Sequence, residues 1–228
     1  MSFLGLSYSE IYTNVDTNNR GNPMAKRRLS AATIAAQAGG YIDQASGGVV
    51  PPIQPSTTFV RDRDYAPHAS GNIYARDDSD TVQIAENILA QLDAAQAALL
   101  FPNGMAAIAA VFRALPTGAT VLVQAQIYWG TTKWVRDFCN RRGMVLVEGD
   151  LSKLDIIEKL CAHHEPNMVF IETPSNPWLR CTDIAHAAKT VHNVGGRLVV
   201  DATAATPILT RVLDFGADIV MHSATKGL

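Results

Sequence analysis

The stretch MVFIETPSNPWLRCTDIAHAAKTVHNVGGRLVVD, residues 168–201, contains two short apolar runs separated by a longer segment of helical composition. The runs 168–172 and 197–201 have the length and apolar content of buried strands. Between them, residues 183–194 predict a helix, which the pair Gly195-Gly196 ends. A strand, a helix and a second strand in this order predict two parallel strands of one sheet.

The same alternation continues on both sides of this stretch. Strands are predicted at 97–101, 120–123, 144–147 and 217–222, and helices at 81–95, 105–115, 131–142 and 151–163. Short apolar strands that alternate with longer helices indicate an α/β domain with a mainly parallel sheet. In such sheets ligands bind at the carboxyl ends of the strands, so we expect the functional residues there.

The composition is that of a folded protein without a strongly charged surface. The chain has 228 residues, of which 47% are hydrophobic, and a formal net charge of −2. This apolar share is too high for a disordered chain and is enough for a sizeable core. The mixed, nearly neutral charge gives no electrostatic reason to expect a nucleic acid or a membrane as a partner.

Several features of the sequence favour the cytoplasm as the compartment. Cys139, Cys161 and Cys181 are odd in number and show no Cys-x-x-Cys spacing, which suits a reducing environment. No window of about 18 apolar residues occurs, so we expect no membrane-spanning helix. Residues 1–28 are polar and lack the apolar core of a secretory signal.

The segment before the first predicted helix has a different character. Residues 1–30 have the composition of a flexible arm, and residues 31–75 are rich in Gly, Pro, Ser and Thr, as in GGVVPP at 47–52. Two successive prolines and clustered turn formers argue against regular elements here. Long irregular segments of compact proteins are often functional, and we expect this one to lie on another protein surface.

Candidate ligand-binding residues follow most of the predicted strands. They are Gly104 and Met105, Tyr128, Asn176, Asp201 with Thr203, and Ser223 with Thr225 and Lys226. Taken singly, each has a structural explanation as a helix start, a packing aromatic, a cap or a surface turn. Together they match what pyridoxal phosphate (PLP) needs: a lysine, an acid for the ring nitrogen, donors for the phosphate and a flat partner for the ring. No metal site is predicted.

These residues resemble the cystathionine γ-synthase and γ-lyase family of PLP enzymes, also called the Cys/Met-metabolism family. The matching motifs occur in the family's order. They are VPPI at 50–53 with STTF at 56–59, YAR at 74–76, NGMAAI at 103–108, Tyr128 with Gly130-Thr131, ETPSNP at 172–177, DAT at 201–203 and HSATK at 222–226. Asp201 and Lys226 are 25 positions apart, a spacing typical of the family.

The resemblance implies an aminotransferase-like domain of PLP fold type I and a role for each matched residue. Lys226 would form the Schiff base with PLP and move protons at the α and β carbons of the substrate. Asp201 would pair with the pyridine nitrogen, and Tyr128 would stack on the ring and take part in proton transfer. The other expected cofactor contacts are Gly104, Met105, Ser223 and Thr225 at the phosphate, Asn176 near the ring hydroxyl and Thr203 near the ring face.

The resemblance also implies a homo-oligomer with shared active sites. Tyr74 and Arg76 would reach the phosphate bound by a neighbouring subunit, which implies a dimer at least and commonly a homotetramer built from two dimers. Residues 1–75 would be the extended segment that contacts the partner subunit, and residues 76–228 the PLP-binding α/β domain. Family members are longer, so we expect the small C-terminal domain, with the arginine that binds the substrate carboxylate, to lie outside this chain.

The implied activity is a lyase or transferase reaction of sulfur amino-acid metabolism. It is elimination or replacement at the γ or β carbon of cystathionine, cysteine, methionine or an O-acylhomoserine. The chain departs from the family pattern at Asn103, where Ser is usual, at Ala202, where Asn is frequent, and at Gly130, where methionine γ-lyases carry Cys.

Two alternatives stand beside this interpretation. The chain could be a truncated or partial family member that binds PLP without efficient turnover. A nucleotide-dependent α/β enzyme is disfavoured, because no Gly-x-Gly-x-x-Gly follows a strand and no Gly-x-x-x-x-Gly-Lys-Ser/Thr occurs.

Overall fold

The computed structural model of the chain describes residues 2–6, 29–68 and 70–228. The expectation of a flexible arm falls mostly on residues 7–28, which lie outside the described part. The chain forms two compact units, Met1–Ser9 with Asp93–Leu228, and Glu10–Leu92. The division of the chain at residue 75 stays a prediction.

A seven-stranded sheet forms the centre of the first unit. Its strands are β1 (Ser2–Leu6), β2 (Ala97–Phe101), β3 (Thr120–Gln124), β4 (Val145–Gly149), β5 (Met168–Glu172), β6 (Arg197–Asp201) and β7 (Ile219–Ser223). The order across the sheet is β2-β1-β7-β6-β5-β3-β4. The neighbours from β7 to β4 are parallel, and β1 pairs antiparallel with both β2 and β7. The predicted α/β fold with a mainly parallel sheet is confirmed.

The helices follow the alternation predicted from the sequence. They are α1 (Ala31–Ala36), α2 (Asp80–Asp93), α3 (Gly104–Arg113), α4 (Trp129–Arg142), α5 (Leu154–His164), α6 (Ile184–Asn193) and α7 (Thr206–Leu209). Short 3₁₀ turns add Ala38–Gly40 and Val212–Phe215. The predicted bounds of β2, β5 and β6 match the structure, and most helix bounds differ by a few residues at their ends, where helices fray.

Two expectations about the N-terminal part are wrong. Ser2–Leu6 is a strand rather than part of a flexible arm, because its backbone pairs with strands on both sides. Residues 31–75 were expected to lack regular elements, yet α1 lies in this range. The run AATIAA favours a helix, and the Ser30 side chain caps it by accepting a hydrogen bond from Thr33 N (3.2 Å).

The core of the first unit lies on both faces of the sheet. Buried side chains of α3 and α4 pack against one set of strand residues, and Phe112 contacts Phe170 with ring centroids 5.7 Å apart. The strand residues of the other face, such as Leu122 and Val169, are also fully buried. This burial on both faces explains why the strands read as continuous apolar runs rather than as alternating patterns.

A buried contact between a histidine and a carboxyl group lies at the end of β7. His222 Nε2 lies 3.1 Å from Asp93 Oδ2, and both side chains are almost inaccessible to solvent. Breaking a buried pair by removing one partner leaves an uncompensated polar group, so each residue depends on the other. The pair joins the end of α2 to β7, the strand that leads to Ser223 and Lys226.

No helix in the described part of the chain is long and apolar enough to cross a membrane.

We expect Phe170→Ala to lower the free energy of unfolding by about 3–5 kcal/mol, because it leaves a cavity at the centre of the sheet. Phe215→Ala is the matched control, since Phe215 is half exposed and its removal leaves a much smaller buried gap than that of the fully buried Phe170. Urea unfolding of both variants measures the difference. Equal losses for the two variants would contradict this description of the core.

Candidate functional site

A cavity of about 530 Å³ opens at the carboxyl ends of β5, β6 and β7. Its lining combines one lysine, two carboxyl groups, hydroxyls and an aromatic ring. The residues that line it are Asn103, Gly104, Met105, Ile108, Tyr128, Glu172, Pro174, Ser175, Asn176, Leu179, Asp201, Thr203, Ala204, Met221, Ser223 and Lys226. The position agrees with the general location of ligand sites in open α/β sheets.

Asp201 and Thr203 join the ends of β6 and β7. The Thr203 hydroxyl donates to Asp201 Oδ1 (2.6 Å), and Thr203 N donates to the same oxygen (3.0 Å). The Thr203 hydroxyl oxygen in turn accepts a hydrogen bond from Ser223 N (2.8 Å). The two bonds to one oxygen fix the orientation of the Asp201 carboxyl, and the third ties it to the strand that precedes Lys226.

Asp201 is a carboxyl group in a poorly solvated position, with 6% of its surface exposed. Burial raises its pKa above the ordinary value, and the bonds from Thr203 and the charge of His222 oppose this rise. A cation placed beside Asp201 would favour its ionised form. A positively charged atom of a ligand beside Asp201 would therefore be stabilised.

Glu172 is a second buried carboxyl group beside the first. In the parallel pairing of β5 with β6, Glu172 lies opposite Asp201. Glu172 Oε2 accepts from Tyr128 N (2.9 Å), and Oε1 accepts from Asn176 N (2.6 Å). The carboxyl thus holds two separate segments of the cavity wall through their backbones.

The pKa of Glu172 is raised to about 7. Desolvation by burial is the main cause, and the neighbouring negative charge of Asp201 adds to it. The backbone hydrogen bonds from Tyr128 and Asn176 act in the opposite direction.

The first turn of α3 forms one end of the cavity. Asn103 caps this helix by accepting a hydrogen bond from Ala106 N (2.9 Å). Gly104 and Met105 are the first residues of the helix, and the leading N–H groups of a helix have no partner within it. Such an end favours an anionic group.

Tyr128 lies at the start of α4 and is partly exposed at the cavity. Its ring packs over Gly130, where an added Cβ would come within 2.5 Å of Tyr128 Cε1. The glycine that departs from the methionine γ-lyase pattern therefore leaves room for the ring in its observed position.

Lys226 follows β7 in a turn that its own N–H closes by donating to Ser223 O (3.1 Å). Its side chain is exposed and lines the cavity. Ser223 lines the cavity, whereas Thr225 does not. The hydroxyl oxygens of the two residues are 3.5 Å apart. The hydroxyl groups expected near a phosphate thus lie together, one of them at the wall of the cavity.

Tyr74 and Arg76 belong to the second unit. Arg76 Nη2 donates to the Tyr74 hydroxyl (2.9 Å), and the guanidinium carbon lies 5.0 Å from the centroid of the tyrosine ring. The tyrosine thus holds the arginine cation in place. The expected contact of both side chains with a phosphate stays a prediction.

The thiols do not contribute to the cavity. Burial raises the pKa of Cys139 and Cys161 to about 11, which keeps both protonated at neutral pH. Cys181 is exposed, and none of the three lines the cavity. Among the described residues, no group of His, Cys, Asp or Glu side chains is arranged to hold a metal ion.

Of the residues predicted after the strands, the structure brings all but Thr225 to the lining of one cavity, and it adds others to them. The most informative addition is Glu172, to which no role was assigned from the sequence. The sequence feature that could have identified Glu172 is an acidic residue at the end of a strand whose other residues are all apolar. Ile108, Leu179 and Met221 also line the cavity, but nothing distinguishes them in the sequence from ordinary core residues.

The comparison with known proteins gives one consistent result. The family described as Cys/Met metabolism PLP-dependent enzyme matches residues 32–228. The chain is 36% identical to a cystathionine gamma-synthase/O-acetylhomoserine (thiol)-lyase of Bacillus subtilis over 86% of its length and 52% of the relative. It is 38% identical to a cystathionine gamma-lyase of Sus scrofa over 86% of its length and 48% of the relative.

A solved structure is similar in fold as well as in sequence. It is cystathionine gamma synthase from Xanthomonas oryzae pv. oryzae in complex with cystathionine, with a TM-score of 0.81 and 35% identity. The match covers 87% of this chain and 51% of that structure. The chain thus spans about half the length of the relatives it matches.

We predict that Glu172 makes the protein less stable as the pH rises from about 4.5 to about 7. In this range the folded protein binds more protons than the unfolded chain, so unfolding becomes easier with rising pH. The group accounts for about 3 kcal/mol, since one unit of pKa shift is about 1.36 kcal/mol. Asp201, whose pKa is also raised, contributes with the same sign.

Urea unfolding between pH 4.5 and pH 8 measures this slope. Glu172→Gln cannot titrate at this position, so its stability should fall less steeply with pH than that of the unsubstituted protein. Glu165→Gln, at an exposed site, should leave the slope unchanged. Parallel pH curves for Glu172→Gln and the unsubstituted protein would contradict the assignment.

Proposed function

Because the chain belongs to the Cys/Met metabolism family of PLP-dependent enzymes, we propose that its cavity binds PLP and acts on a sulfur amino acid or an O-acylated homoserine. The reaction is elimination or replacement at the γ or β carbon of the substrate. The observation that carries the proposal is the meeting of Lys226, Asp201 and the first turn of α3 at one cavity.

The donor set of the cavity fits PLP. The first turn of α3 and the Ser223 hydroxyl offer hydrogen bonds to a phosphate, and Asp201 offers a negative charge to a protonated ring nitrogen. The Tyr128 ring offers a flat apolar face, and Lys226 offers a primary amine for the aldehyde. When bound, PLP supplies an electron sink that stabilises negative charge developing on a substrate carbon.

Five residues of the cavity then have distinct tasks. Lys226 would hold the cofactor through its primary amine and would carry protons at the α and β carbons of the substrate. Asp201, oriented by Thr203, would keep the ring nitrogen protonated. Tyr128 would hold the ring from one side and take part in proton transfer, while Asn176 would orient the ring hydroxyl.

The proposed substrate class rests on the activities of the similar proteins. One relative is a synthase and thiol-lyase, and another is a γ-lyase. We favour chemistry at the γ carbon on this basis, with β elimination as the nearest alternative. Specificity within the fold depends on contacts to the side chain beyond the reacting carbon.

The proposed assembly is a cytoplasmic homo-oligomer, a dimer of dimers. In it Tyr74 and Arg76 would contribute to the phosphate site of a neighbouring subunit. Their mutual hydrogen bond and cation–π contact support this role, because they hold the guanidinium group ready for an anion.

We expect the protein mixed with PLP to develop an absorbance band near the visible edge that borohydride bleaches, leaving the cofactor covalently attached. Lys226→Ala should lose the covalent attachment, because its side chain has no amine. Lys189→Ala, at an exposed lysine of α6, is the matched control and should keep it.

Mass spectrometry of the intact chain after borohydride treatment measures the attachment. A Lys226→Ala protein that still carries reduced cofactor would contradict the proposed role of Lys226. Cofactor attachment in the unsubstituted protein without turnover of cystathionine or an O-acylhomoserine would favour a PLP-binding family member that lacks efficient turnover.

We expect Arg76→Ala to weaken binding of PLP by at least about tenfold, since a hydrogen bond to a charged group contributes about 1.5–3 kcal/mol. Binding of pyridoxal, which has no phosphate, should change little. Arg63→Ala, at another exposed arginine of the second unit, is the control. Equal losses for PLP and pyridoxal would show that Arg76 does not bind the phosphate, and fluorescence titration measures both ligands.

A further inference from the structure

We propose that Glu172 is a positioning residue that sets the places of Tyr128 and Asn176 in the cavity wall. This inference rests on the proposed function, because it concerns the two residues expected to hold the ring of the cofactor. It assigns a task to a side chain that the sequence motifs left without one.

The geometry of the carboxyl group is the first support. Each of its two oxygens accepts one backbone N–H, and the two donors come from segments 44 and 4 positions away in the chain. Oε2 is 2.9 Å from Tyr128 N, and Oε1 is 2.6 Å from Asn176 N. Only a carboxylate offers two acceptor oxygens at these places, since an amide replaces one of them with a donor.

The rigidity of β5, the strand that carries Glu172, is the second support. Glu172 ends β5, which has neighbours on both sides in the sheet, and all five residues of that strand are buried. Its own N–H donates to Gln124 Oε1 (3.1 Å) on β3. A side chain fixed in this way can serve as a reference point for less regular segments.

The two segments that Glu172 binds, at Tyr128 and at Asn176, make few other hydrogen bonds to the sheet. Tyr128 is the N-cap of α4, but its side chain makes no capping hydrogen bond. Asn176 lies in a turn whose internal bonds join Ser175 to Leu179 and Arg180. The bonds to Glu172 therefore connect both segments to the sheet.

The electrostatic cost is the third support. Burial and the charge of Asp201 both disfavour the ionised form of Glu172. A neutral side chain would avoid this cost if only packing were needed. Costly ionisable groups in a cavity are typical of functional sites.

Glu172 acts through other residues rather than on the reacting atoms. Both of its oxygens are engaged by backbone N–H groups, and the residue is 5% exposed. The side chains that it positions, Tyr128 and Asn176, are the ones that line the cavity beside it.

The test compares Glu172→Gln with the unsubstituted protein and with Glu165→Gln, which changes an exposed carboxyl in the same way. Backbone ¹⁵N NMR of the cofactor-free protein reports the two N–H groups directly. We expect the amide signals of Tyr128 and Asn176 to move in Glu172→Gln and to stay in place in Glu165→Gln. Unchanged signals for both residues would overturn the contact.

Cofactor binding then reports the positioning role. We expect Glu172→Gln to bind PLP and pyridoxal more weakly by the same factor, about tenfold, as for one lost hydrogen bond to a charged group. The circular dichroism of the bound cofactor band should fall relative to its absorbance, because the ring is held less firmly. Far-UV circular dichroism should match that of the unsubstituted protein.

The outcomes separate this inference from the proposed function. If the unsubstituted protein binds PLP and Glu172→Gln binds it equally well with the same dichroism, the positioning role is overturned. If the unsubstituted protein fails to bind PLP, the proposed function fails, and the role of Glu172 toward the cofactor fails with it.

Discussion

The parallel, in-register pairing of β5, β6 and β7 is the constraint on which the site depends. It places Glu172 opposite Asp201, and Asp201 opposite Met221, at one edge of the sheet. A loop follows each strand at that edge, and residues of these loops line the cavity. If the pairing slipped by one residue, the side chains at the strand ends would exchange faces. Register and chemistry are therefore coupled in this fold.

The pairing has an electrostatic consequence. Two carboxyl groups lie side by side in a poorly solvated place, and each is costly to ionise there. The structure offsets the cost with backbone donors at Glu172, with Thr203 at Asp201, and with the charge of His222 behind the sheet. A cationic ring nitrogen beside Asp201 would offset it further. The arrangement that makes the two carboxyl groups costly to ionise thus favours a cationic ligand group such as the protonated ring nitrogen of PLP.

Much of the fold could be predicted from the sequence because its signals are local. The apolar runs of β2, β5 and β6 and the glycines after α6 show strands and helix ends directly. The strand Ser2–Leu6 could not be predicted, since its pairing with β2 and β7 depends on residues far along the chain.

The candidate site was predictable to a similar degree. Lys226, Asp201 and the start of α3 follow strands, and the topology of the sheet brings strand ends together. The role of Glu172 was not predictable, because it depends on contacts with Tyr128 and Asn176 that arise only when three segments meet.

The most direct test of the proposed PLP site is a crystal structure of the protein grown with PLP. We expect electron density continuous from Lys226 Nζ to the cofactor, the ring nitrogen within hydrogen-bond distance of Asp201, and the phosphate at the first turn of α3. Density that joins the cofactor to another lysine, or a phosphate bound away from α3, would contradict it.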